Sequence, residues 1–89
     1  MLIRYWFIVY PQDKYGPGNI GVTAFTMTEA RHLINTAFAK LNWTHISEME
    51  IDNAEVIENI SIELLDSGHV IPNIGPLVFK GVWFPCLNL

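Results

Sequence analysis

Thr26-Met27-Thr28-Glu29-Ala30-Arg31-His32-Leu33-Ile34-Asn35-Thr36-Ala37-Phe38-Ala39-Lys40-Leu41 is the stretch from which the rest of the chain can be read. Thr26 and Glu29 stand at capping-box spacing. The Thr26 hydroxyl can accept the N–H of residue 29, and the Glu29 carboxylate can return to the N–H of residue 26. Beyond the cap, Ala30, Leu33, Ile34, Ala37, Phe38 and Leu41 recur at helical spacing, with Arg31, His32, Asn35 and Lys40 outside that row. The pattern predicts one amphipathic helix over about 27–41. A single apolar stripe needs a surface to bury it, and the flanking segments supply a sheet.

Toward the N-terminus, Ile20, Val22 and Ala24 alternate with Gly21, Thr23 and Phe25, which predicts a strand over 20–26. Residues 11–19 (P-Q-D-K-Y-G-P-G-N) are dense in Pro and Gly and read as a loop that returns the chain. This Gly-rich loop precedes a strand rather than a helix and lacks the G-x-x-x-x-G-K-[ST] pattern, so a plain turn is expected over a phosphate cradle. Leu2 to Tyr10 is β-branched and aromatic on both alternating faces, as in a central strand antiparallel to the next.

Toward the C-terminus the signal is mixed. Met49 and Ile51 alternate with Glu48, Glu50 and Asp52, which suits a strand or extended connection, although Asp52-Asn53-Ala54-Glu55 could cap a short helix. Alternation through Glu55–Leu64 favours extended structure there. Three turn signals make 65–76 a long loop, and Leu77–Phe84 reads as a final strand with Gly81 in its middle.

The expected fold is one α+β domain over 1–89: a mainly antiparallel sheet of about four strands, the 27–41 helix on one face, in the order ββα-β(β)-β. One helix leaves the opposite face uncovered. Trp6, Tyr10 and Trp83 are expected on that face, which suggests a homodimer through it.

The chain has 89 residues, 51% of them hydrophobic and 16% charged, with a net charge of −4. A chain of this size buries roughly 60–65% of its unfolded surface. The charge is segregated: Glu48, Glu50, Asp52, Glu55, Glu58, Glu63 and Asp66 are seven of nine acidic residues, and no Lys or Arg lies between Lys40 and Lys80. A block of one sign steers cationic partners. Nucleic acid is excluded by the same balance, because the aromatics Trp6, Tyr10, Trp83 and Phe84 lack the positive charge that base-stacking platforms carry. The lone Cys86 excludes an internal disulfide and suits a reducing compartment, with a thiol that packs rather than reacts. The apolar opening run is nine residues long and contains Arg4, too short to span a bilayer, so no membrane partner and a cytoplasmic location are expected.

Neither a metal nor any other cofactor is implied by the residue spacing. His32, His45 and His69 stand at no ligand spacing, and Glu48-x-Glu50-x-Asp52 lacks the Gly of a calcium loop. His69, three residues after Asp66 and four before Asn73, is the one site where an Asp-oriented His can be imagined, with Ser61 or Ser67 as nucleophile. Two function classes follow. The first is a small acidic interaction protein, an inhibitor or immunity-type protein rather than an enzyme. It binds a basic, nuclease- or toxin-like partner through Glu48, Glu50, Asp52, Glu55, Glu58, Glu63, Asp66, His69 and Asn73. The second is a small enzyme or ligand-binding domain working around Asp66, His69 and Asn73.

Overall fold

The computed structural model describes residues 1–42 and 46–85. His45 and Cys86, weighed above as ligand and thiol, lie outside the described residues. The architecture is α+β. Four strands, β1 (Ile3–Ile8), β2 (Ile20–Ala24), β3 (Glu55–Glu58) and β4 (Gly81–Phe84), form one antiparallel sheet in the order β3-β1-β2-β4. The main helix α1 (Met27–Lys40) packs against β2 and β4, and a short helix α2 (Glu48–Asn53) lies beside it. No helix among the described residues is long and apolar enough to cross a membrane.

The predicted alternation sorts the side chains onto two faces. Tyr5, Phe7, Ile20, Val22 and Ala24 join Ala30, Ile34, Ala37 and Phe38 of α1 in the core under the helices. The stripe thus drives α1 onto the sheet, although Leu41 stays exposed just past its end. Thr26 Oγ1 accepts from Glu29 N as its spacing predicts, but the Glu29 carboxylate returns to Phe25 N at 2.8 Å rather than to Thr26. The cap reaches one residue further back.

Three expectations of secondary structure are corrected. Residues 48–53 are helical: the Ser47 hydroxyl accepts from Glu50 N, and Ile51 is the one buried anchor, set in the core with α1. Glu48, Glu50 and Asp52 therefore form no strand-face stripe. Two residues along a helix turn the side chain by about 200°, so Glu50 points away from Glu48 and Asp52. The strand expected through Leu64 stops at Glu58, where Asn59 takes φ 55° and breaks the pleat before a single 3-10 turn at Ile62–Leu64. The last strand starts at Gly81, not Leu77. Gly81 adopts φ 144°, which a residue with a Cβ rarely takes, and so sits at the strand's entry rather than its middle.

The largest correction concerns the second sheet face, which the chain covers itself. Trp6, Ile8, Trp83 and Phe84 form a second core with Ile60, Leu65 and Val70, and Ile62, Ile71, Ile74 and Leu77 pack against it. Trp6 and Trp83 stack with ring centroids 5.8 Å apart and are almost wholly buried, so neither is available to a homodimer contact; Tyr10 alone of the three is exposed. Gly21 makes the stack possible, because a Cβ there would run into the Trp83 indole. Thr23, on the same face, gives its hydroxyl proton to Leu77 O at 2.8 Å and ties the covering segment to the sheet.

Candidate functional site

Most of the acidic segment lies on the unit that forms one edge of the sheet. β3 is an outer strand, and α2 precedes it with only Ala54 between, so five carboxylates lie on one helix-strand unit. In the β1–β3 register Glu58 stands opposite Tyr5 and Glu55 opposite Ile8. Glu58 therefore lies on the α1 side of the sheet and Glu55 on the other. Burial, then the charges of Glu58 and Glu29, push the Tyr5 hydroxyl above its ordinary pKa.

The carboxylates differ in what they already meet. Asp52 lies 3.9 Å from Arg31 Nε, and Glu55 lies 3.8 Å from Lys14 Nζ. Lys80 pairs with Glu29 at 3.2 Å, and Arg4 Nε donates to Ile60 O. Glu48, Glu50, Glu58 and Glu63 are exposed and make no ion pair among the described residues.

Asp66, His69 and Asn73 do come together, as a turn. Asp66 Oδ1 accepts from Gly68 N at 2.8 Å and His69 N at 2.9 Å, and its backbone carbonyl accepts from Val70 N and Ile71 N. Asn73 Nδ2 donates to His69 O, and the Asp66 N–H donates to Tyr15 O. The His69 and Gly68 amides hold the Asp66 carboxyl below its ordinary range. The His69 ring is 3.5 Å from Asp66 through Nδ1 and is 76% exposed, so it stands in water rather than in a cleft. The Asp-His proximity is real, and its evident work is to fix the segment that buries Trp6 and Trp83 through Leu65 and Val70.

Sequence reading missed Asn19, which is 1% exposed. Its Oδ1 accepts from Tyr10 N at 2.8 Å, and its Nδ2 donates to Asp13 O at 2.7 Å and, at longer range, to Lys14 O and Gly16 O. One amide thus closes the 11–19 loop, where only the position of an Asn at the end of a Pro/Gly run hinted at the role. Asn19 also lines a pocket of about 270 Å³ with Tyr10, Pro17, Ile20, Phe38 and Pro85. A smaller groove of about 190 Å³ runs between α1 and β4. Neither is bordered by Asp66, His69 or Asn73. No three His, Cys, Asp or Glu side chains among the described residues are grouped as a metal site.

Comparison with protein-family models, with curated proteins and with solved structures gave no match.

Proposed function

We propose that this chain is a small acidic interaction protein of the inhibitor or immunity type, which docks on a basic partner through the α2–β3 edge. The reading rests on one observation: Glu48, Glu50 and Glu58 on the α2–β3 unit that also holds Asp52 and Glu55, with Glu63 in the turn that follows, are exposed and unpaired within the described residues. Carboxylates that already face a cation in their own fold add less to long-range docking. Unpaired ones attract a cationic surface at long range and raise the association rate in a salt-dependent way. Against a nuclease-like partner they would stand where nucleic-acid phosphates stand, in the cationic cleft. Cytoplasmic residence belongs to the same proposal, supported by the single cysteine. Asp66, His69 and Asn73 contribute by holding the adjoining segment in shape.

The test is affinity capture from the native host with wild type and with the Glu48→Gln, Glu50→Gln, Glu58→Gln, Glu63→Gln variant. The expected result is a basic protein whose activity the wild type suppresses, retained at low ionic strength, lost toward ~0.5 M salt, and not retained by the variant. Equal retention by both, or retention indifferent to salt, overturns the proposal.

A further inference from the structure

The two edges of the sheet are finished differently. At β4, the backbone N–H of Gly75 donates to Trp83 O at 2.7 Å, so the covering segment closes that side. At β3, Glu55–Glu58 pair with β1 on the inner side, and their outward-facing backbone groups meet no hydrogen-bond partner among the described residues. Val56 and Ile57 are half-buried, one against each core, which anchors the strand in an extended form. An anchored strand with one free row of N–H and C=O groups is a template for another strand.

We infer that the outer edge of β3 takes up an extended segment of a basic protein by strand addition, with two cationic side chains flanking two apolar ones. The inference rests on the docking role proposed for this edge and supplies its binding mode. Charge selects the occupant. Glu55 and Glu58 are three residues apart and so project to opposite faces. A second copy added at this edge would bring the same Glu55-Val56-Ile57-Glu58, which has no Lys or Arg to set against either carboxylate. A segment with Lys or Arg at positions i and i+3 instead places a cation opposite each carboxylate. The intervening apolar pair extends the two cores past Val56 and Ile57. Main-chain hydrogen bonds then supply affinity, and the flanking charges supply selection.

The probe is the capped peptide Thr-Lys-Val-Ile-Lys-Thr, compared with the same peptide N-methylated at alternate backbone nitrogens on its docking edge. Amide hydrogen exchange and carboxyl chemical shifts of the isotope-labelled full chain are the readouts. The expected result is binding of the unmodified peptide, with the outward amides within 55–58 slowed about ten-fold or more and binding lost on N-methylation. Equal binding of both peptides, with shifts at Glu48, Glu50, Glu58 and Glu63 but unchanged exchange at 55–58, overturns strand addition and leaves the charge-docking proposal standing. Absence of binding by either peptide at low ionic strength overturns both. Glu55→Lys, Glu58→Lys supplies a second measure: it should abolish binding of the cationic peptide and admit the version with Glu in place of each Lys. Failure of that exchange removes the argument from charge.

Discussion

Asp66 is the residue on which the second core is hung, since its side chain and carbonyl together accept four backbone N–H groups. Those donors favour the carboxylate, so the folded-state pKa lies below the ordinary 3.8 that the unfolded chain would show. A depressed folded pKa contributes stability that is present above 3.8 and lost as pH falls through the lower folded value. Asp66→Asn should therefore be less stable than wild type at neutral pH, and the gap should narrow as pH drops below 3.8. Tryptophan fluorescence during urea unfolding at each pH measures it, because Trp6 and Trp83 report the cover; a gap constant with pH would disprove the charge contribution. A second residue-scale outcome concerns Thr26. Thr26→Ala removes the acceptor for Glu29 N and should cost about 1 kcal/mol in denaturant unfolding, with the helix otherwise intact.

At the scale of elements, the helices and strands differ in how openly the sequence announces them. α1 was legible because cap, period and length agree over Thr26–Lys40. β1 and β2 were legible because their alternation matches the two faces they present. α2 was not, since its six residues, Glu48–Asn53, hold one buried side chain, too few for a period. Alternating Glu48, Glu50 and Asp52 imitated a strand, and the deciding group, the Ser47 hydroxyl, lay one residue outside the pattern. Residues 60–77 were hidden for a related reason. Ile60, Leu65, Val70, Ile74 and Leu77 follow neither period, because irregular backbone presents its apolar side chains wherever turns allow. The contact between this layer and the sheet can be tested at Gly21. Gly21→Ala pushes a Cβ into the buried Trp83 ring and should destabilise the fold by about 1–3 kcal/mol. An unfolding midpoint equal to wild type would mean that Trp83 does not lie against that strand.

Over the whole molecule, charge and apolar surface are separated by topology. β4 is closed off by its own covering segment, while β3 and α2 carry the carboxylates along the opposite edge. Removing the four unpaired charges with Glu48→Gln, Glu50→Gln, Glu58→Gln and Glu63→Gln should leave stability within ~0.5 kcal/mol per site, since each is exposed and outside the fold's ion pairs. The same variant should associate with a cationic partner about ten-fold or more slowly at low salt, and with a weaker dependence on ionic strength. Stopped-flow association over a salt series separates the two effects. A variant that unfolds more readily, yet binds as fast as wild type, would reverse the assignment of these residues.

The candidate site was legible in the same uneven way. Composition gives the acidic interval and its lack of Lys or Arg directly, because charge is a property of residues and survives any folding. Which carboxylates remain unpaired is not. That Arg31 meets Asp52 and Lys14 meets Glu55 depends on α1 lying beside α2 and on the 11–19 loop folding back toward β3. By itself the chain's order of residues determined the antiparallel sheet, the capped helix and the sign of the field, since periodicity and charge are local. Only the tertiary structure decided that the second face is sealed from within and that β3 is an outer strand with no further partner among the described residues, because burial and strand neighbours come from contacts between segments far apart in the chain.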